Sequence, residues 1–255
     1  MMRRFNPFLC LSPLLTAALI LIGAHAASTI AANLERPLSE AEIFVELNDT
    51  DGDLGLHASI DGDPWTSLEI EGPRDIVLLN VVGRGRLSSQ GLTQWSFESA
   101  EPPFDELVPA AFFRRFPEGR YEIEARALDG STLQGTARLS HVLAAPAENI
   151  TLSGIPAAEN CDANPLPLVP EPVLIDWDPV TTSHPEVGKA GPIVVSRYQL
   201  IVEREGVKFS VDLPPDVTEF EIPLGVTALG QQFKFEIIVR TTTGNNTAIE
   251  SCFGV

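Results

Sequence analysis

Basic residues are scarce. The 255-residue chain has 17 Lys and Arg against 35 Asp and Glu, a formal net charge of −18. Two of the cations, Arg3 and Arg4, stand at the extreme N-terminus, so the rest of the chain is more acidic still. This argues against a nucleic-acid partner, because phosphate-backbone affinity rests on Lys and Arg. Cysteine is also rare, with Cys10, Cys161 and Cys252 only. There is no CxxC pair to suggest a structural zinc site. No HExxH, GxSxG or P-loop pattern occurs. Gly83-Arg84-Gly85-Arg86 lacks the third Gly and the Lys of a phosphate loop, and Ser88-Ser89-Gln90-Gly91 is not a nucleophile elbow. After the N-terminal stretch no apolar run is long enough to cross a membrane as a helix.

What is present begins with a secretory signal over Met1–Ala26. Arg3 and Arg4 open it, Phe8 to Gly23 is mostly apolar, and Ala24-His25-Ala26 offers small residues at the cleavage positions. The protein is therefore expected to be secreted or periplasmic. Cys10 leaves with the signal, and the remaining pair, Cys161 and Cys252, is expected to form one disulfide.

The mature chain, at 44% hydrophobic residues overall, can bury a core. The expected fold class is all-β with two β-sandwich domains. The first, Pro37–Ala145, reads as a jelly-roll-like sandwich. Its short strands include Ile43–Leu47, Leu54–Ile60 closed by a hairpin-type Asp61-Gly62, Trp65–Glu71 and Ile76–Val82. Tyr121, Ile123, Ala125 and Ala127 alternate with charged residues on a half-wet strand. One short helix is expected after Pro109, with Leu107, Val108, Ala111, Phe112 and Phe116 on its apolar side, plugging one end of the sandwich. A segment over 146–171, rich in proline, reads as an extended linker that becomes an edge strand.

Residues 172–255 alternate as strands around Trp177, Tyr198 and Phe233-Phe235-Ile237-Val239. These residues resemble a fibronectin type III domain. Trp177 stands where that family places its second-strand Trp, and Tyr198 matches the third-strand Tyr. Leu229-Gly230-Gln231-Gln232-Phe233 matches the opening of the sixth strand, with Phe for the usual Tyr. The resemblance implies a seven-stranded spacer or recognition module and no catalysis. The substitution removes the hydroxyl of the tyrosine corner. With this fold, Cys161 and Cys252 meet if the linker runs back along the last strand.

The acidic loop Asn48–Asp53 is the sharpest local feature. Asp49, Asp51 and Asp53, with Asp61 and Asp63 one hairpin arm away, could converge on Ca²⁺, a hard cation that takes six to eight oxygens. The EF-hand pattern fails, since the glycine is one place late at Gly55 and Ile60 stands at the twelfth position. The competing interpretation is a solvated Asx-rich turn. Trp65 is left open between core and a stacking platform for sugars, and Trp95 is assigned to the core. His141 is expected inward and hydrogen-bonded, and His57 charge-paired on its strand. Three sequons, at Asn48, Asn149 and Asn245, match glycosylation acceptors. The function expected is an exported, non-enzymatic adhesion, recognition or scaffold protein with an unidentified protein or glycan partner. A Ca²⁺-dependent carbohydrate-binding module on the first domain is the alternative, and a small hydrolase is weaker.

Overall fold

The computed structural model describes residues 35–255, so the secretory signal and Cys10 lie outside the described residues. The chain runs β1 (Glu35–Pro37), β2 (Glu40–Asn48), β3 (Asp53–Gly72), β4 (Ile76–Val82), α1 (Leu87–Gln90), β5 (Leu92–Glu98), α2 (Pro109–Arg115), β6 (Gly119–Ala127) and β7 (Thr132–Leu139). It continues with β8 (Thr151–Leu152), β9 (Ile155–Pro156), β10 (Leu174–Asp176), β11 (Val195–Arg204), β12 (Val207–Leu213), β13 (Glu219–Glu221), α3 (Leu224–Thr227), β14 (Gln232–Thr241) and β15 (Asn246–Gly254). The fold is all-β.

Two layers enclose the first core. β3 belongs to both. Its first half pairs with β2 and β5, and its second half with β4 and β6. Asp61-Gly62 is therefore not a hairpin turn, as the dipeptide suggested. It lies inside one 20-residue strand, where the pairing register shifts between Asp61 and Trp65. The reason is steric. Gly62 lacks the positive φ that a tight hairpin needs, and a Cβ on it would sit 2.8 Å from the Leu38 side chain. The missing side chain lets the β1–β2 connection press onto the bend, so glycine serves close approach instead of reversal.

Alternation fixes which residues face this core. Tyr121, Ile123, Ala125 and Ala127 of β6 point inward, with Val45 and Leu47 of β2 and Leu68 and Ile70 of β3. α2 closes one end. Pro109 occupies the first turn, where a missing donor costs little, Phe112 is buried, and Arg114 and Arg115 sit in the last turn, whereas Val108, expected on the apolar side, caps the helix with extended backbone and is exposed. The turn after α2 carries a tyrosine corner that the sequence did not disclose. The Tyr121 hydroxyl donates to the Pro117 carbonyl four residues upstream at 3.0 Å. Burial pushes its pKa up to about 12. Gly72 makes room for the ring, since a Cβ there would sit 2.7 Å from Tyr121 Cε1.

The second core packs between β13-β10-β8-β9 and the sheet β15-β14-β11-β12. Trp177 meets Tyr198 edge-on at 5.4 Å, and the Tyr198 hydroxyl accepts the Val180 amide at 2.9 Å. Phe233 stacks on Phe253 at 5.5 Å, with no hydroxyl to anchor a corner. The proline-rich segment is packed against this core. Ala147, Leu152 and Val169 are buried in it, and Gly254 and Val169 exchange backbone hydrogen bonds with Pro167 and Gly254 respectively. Its return beside β15 places Cys161 against Cys252 in a disulfide.

One seam joins the two halves. β15 pairs in parallel with β2, Asn246 to Glu46, Thr247 to Leu47 and Ala248 to Asn48, so a single 11-stranded sheet runs through both. Asn245 locks the seam and is wholly buried. Its amide nitrogen donates to the Ser140 and Val142 carbonyls at 2.8 and 3.1 Å, and its oxygen accepts the Val45 amide at 3.0 Å. The Thr247 hydroxyl donates to the Ala144 carbonyl at 2.9 Å. Thr50 both donates to the Glu250 carbonyl and accepts its amide.

Two outcomes follow for stability. Asn245→Ala strands three backbone groups in a dry interior, so urea unfolding should show a loss of about 2–4 kcal/mol. Tyr121→Phe removes one hydrogen bond and leaves the ring, so the same measurement should show a loss of about 1 kcal/mol.

Candidate functional site

The surface carrying the most titratable chemistry is the outer face of the seam. On β2 the inward residues are Val45 and Leu47, which turns Glu46 outward. On β14 and β15 the same alternation turns Glu236 and Glu250 outward, and they stand directly opposite each other in register. Like charges facing across an antiparallel pair repel. Lys234 relieves part of this by bonding Glu250 at 2.5 Å. Beside them on the same face lies a small apolar island of Ile201, Ile238 and Ala248.

This environment moves protonation. Burial, then the neighbouring charges of Glu46 and Glu250, push the Glu236 pKa up to about 7, against the weaker pull of Lys234 and Lys208. Burial also raises Asp53, to about 6, with Glu101, Asp51, Glu250 and Glu46 adding to it. For His57 burial disfavours the cation, but the hydrogen bond to Glu101 at 3.1 Å and the charge of Glu46 outweigh it, and the pKa lies above its ordinary value. The ring also stacks on Phe44 at 5.2 Å.

The five aspartates of the acidic stretch are not brought together. Asp49 accepts a hydrogen bond from His184 Nε2 at 2.8 Å, while the other ring nitrogen of His184 accepts the Glu186 and Val187 amides. Asp51 is held by the Asn48 amide in a turn where Asn48 also accepts the Thr50 and Asp51 amides. Asp53 opens β3. Asp61 is eight positions further along the strand, about 27 Å at full extension, and accepts from Ser39. Asp63 pairs with Arg36 at 2.6 Å. Among the described residues no group of three or more His, Cys, Asp or Glu is placed to hold a metal ion. A β3 that continues through Asp61-Gly62 instead of folding back explains the separation.

Trp65 is a correction as well. It is fully buried in the first core and offers no platform for a sugar ring. It sits just past the bend of β3, where the strand changes layers and its side chain points into the space between them. His141 is buried, with Nε2 2.7 Å from the Phe116 carbonyl. Of the three sequon asparagines, Asn245 is spent on the seam, Asn48 on its turn, and Asn149 is exposed with its amide on Asp178.

Sequence reasoning missed Asn245, Glu236 and the His184–Asp49 pair. Asn245 appeared as a glycosylation acceptor, and only its position just before an apolar strand hinted at burial. Glu236 alternates like any wet residue, and nothing local marks the acids that surround it. His184 and Asp49 are 135 residues apart.

No family model matches the chain, and no curated protein matches it. Solved structures resemble it only remotely. A 1.5-MDa bacterial ice-binding adhesin is 11% identical, with 87% of this chain and 65% of that one covered and a TM-score of 0.25. A tetra-tandem repeat from the extending region of a large adhesion protein is 12% identical, over 84% and 49%, at 0.27. The human OSCAR ligand-binding domain is 10% identical, over 84% and 98%, also at 0.27. The chain thus spans less than two thirds of the length of the two adhesin chains. Scores this low carry no argument about role.

The seam predicts a pH response. Glu236 and Asp53 have folded-state pKa values above their ordinary ones, so the folded protein binds protons that the unfolded chain does not. His57 acts in the same direction. Stability should therefore rise as pH falls from 8 to 5, with Tm increasing by about 3 °C or more. The depressed carboxyls, Glu118 and Asp129, oppose this only at more acid pH, near their ordinary values. Glu236→Gln should raise Tm at pH 8 and flatten the profile. Calorimetric scans across this range check both.

Proposed function

We propose that the chain is an exported, non-enzymatic binding protein of adhesive type, built to hold two sandwiches as one stiff body and present their surfaces. The observation that carries this reading is the seam. Parallel pairing of β15 with β2, sealed by a buried asparagine, removes the freedom that a linker of 26 residues would give. Stiffness suits a body that must hold a binding surface away from its point of attachment. A hydrolase would need a free acid and a free base facing each other in a cleft; Glu236 does face Glu250 across β14 and β15, but Glu250 is tied to Lys234, as Glu46 is to Asn246 and Glu101 to His57.

The second sandwich is read as a fibronectin type III-like module. The order β13-β10-β8 in one sheet and β12-β11-β14-β15 in the other, with Trp177 on Tyr198 between them, supports that assignment. The Cys161–Cys252 disulfide supports residence in an oxidising compartment outside the cytoplasm.

Purified protein added to its own cell-envelope or extracellular fraction should bind saturably, and it should release no product from a panel of glycosidic, ester and peptide substrates. Turnover of any of these, or no saturable binding to any fraction, would overturn the reading.

A further inference from the structure

A second feature of the seam lies around its edge, where the far half of β7 meets β2, β11 and the turn after β14. β1 covers β7 only from Thr132 to Gln134, so the rest of β7 is left beside an open cleft of about 630 Å³. Arg138, Arg197 and Arg240 line it, and Glu42 is the one acid among its lining residues. In a chain with twice as many acids as bases, this local balance is reversed.

The arginines are not arranged to satisfy each other. Arg197 and Arg240 stand opposite in register on β11 and β14, and Arg138 stands opposite Arg120 on β6. Such like-charged cross-strand pairs are destabilising unless an anion lies between them. Their partners differ. Arg240 is largely enclosed, bonded to Glu42 and set over the Phe44 ring at 4.8 Å, so its charge is already used. Arg197 reaches Asp212 only at 3.6 Å, with both side chains about half exposed, a contact worth little in water. Arg138 is exposed and has no carboxylate partner among the described residues. Hydroxyls surround the two less occupied guanidiniums, with Thr136, Ser196 and Thr242 exposed at the rim.

We infer that this cleft binds an anionic saccharide, with Arg138 and Arg197 gripping carboxylate or sulfate groups and the rim hydroxyls meeting sugar hydroxyls. The inference rests on the adhesive reading above and names its ligand class. Guanidinium forks match planar or tetrahedral oxyanions in a bidentate way. An acidic peptide would use the same charges, but it would also need apolar pockets for alternate side chains. Here Ile43 and Ala137 face the core, and the Phe44 ring is stacked on His57 and lies under Arg240. The protein's overall negative charge does not forbid an anionic ligand, since at physiological ionic strength charges beyond about 8 Å are largely screened.

Titration calorimetry of the exported chain with polygalacturonate, dextran sulfate, neutral dextran and poly-glutamate tests this, and the two anionic polysaccharides separate carboxylate from sulfate recognition. Binding is expected to at least one of them, none to neutral dextran, and a loss of about tenfold or more in Arg138→Gln/Arg197→Gln at unchanged Tm. Arg138→Lys/Arg197→Lys should recover part of it. Equal binding by the Gln variant, no binding to either anionic polysaccharide, or binding to poly-glutamate alone would overturn the assignment. The envelope-binding assay separates the two readings: if the Gln variant coats the envelope fraction as well as the wild type does, the cleft assignment fails and the adhesive reading stands. Failure of the wild type to coat any fraction defeats the adhesive reading.

Discussion

Three parallel residue pairs between β15 and β2, and the one asparagine beside them, hold this molecule in its shape. Parallel pairing is short here and could not stand alone. Asn245 makes it durable by bonding the Val45 amide of β2 and the Ser140 and Val142 carbonyls of the segment that follows β7. A buried amide suits this position because it donates twice and accepts, so it satisfies all three groups at once. An apolar residue of similar size would leave them in a dry interior.

The placement of charge follows from the seam. Merging two sheets brings Glu46 of one half beside Glu236 and Glu250 of the other. Each acid would be an ordinary wet residue on an isolated sandwich. Together burial and the charges of Glu46 and Glu250 raise the Glu236 pKa and make it a site of proton uptake on the outer face. Around the edge, the same merger sets Arg138 near Arg197 and Arg240. Along the one outer face of the junction the electrostatic character therefore changes, from acidic and self-repelling around Glu236 and Glu250 to locally cationic at Arg197 and Arg240.

Much of the fold was legible because strand alternation is a local property. Tyr121, Ile123 and Ala125 turn inward in the structure, as do Phe233, Phe235 and Ile237. The short helix at Pro109 was legible for a similar reason, since its apolar stripe and its proline lie within a few residues. Asp61-Gly62 misled because a turn dipeptide is also what a strand needs at a tight bend. Trp65 was ambiguous because a residue just past such a bend can face either way until the second layer is in place.

The amino-acid sequence alone determined the inward faces of the regular strands, the helix at Pro109, the acidity and the existence of two apolar cores, because each is set by composition or by neighbours a few residues away, whereas the continuous β3 and the single-turn helices α1 and α3 were not legible in it. Only the tertiary structure decided that the two cores share one sheet, that Asp49 serves His184, and that three arginines gather in a chain so poor in cations. Those outcomes depend on contacts between residues from about 40 to 200 positions apart, and such contacts are fixed by the packing of whole layers, which no local pattern encodes.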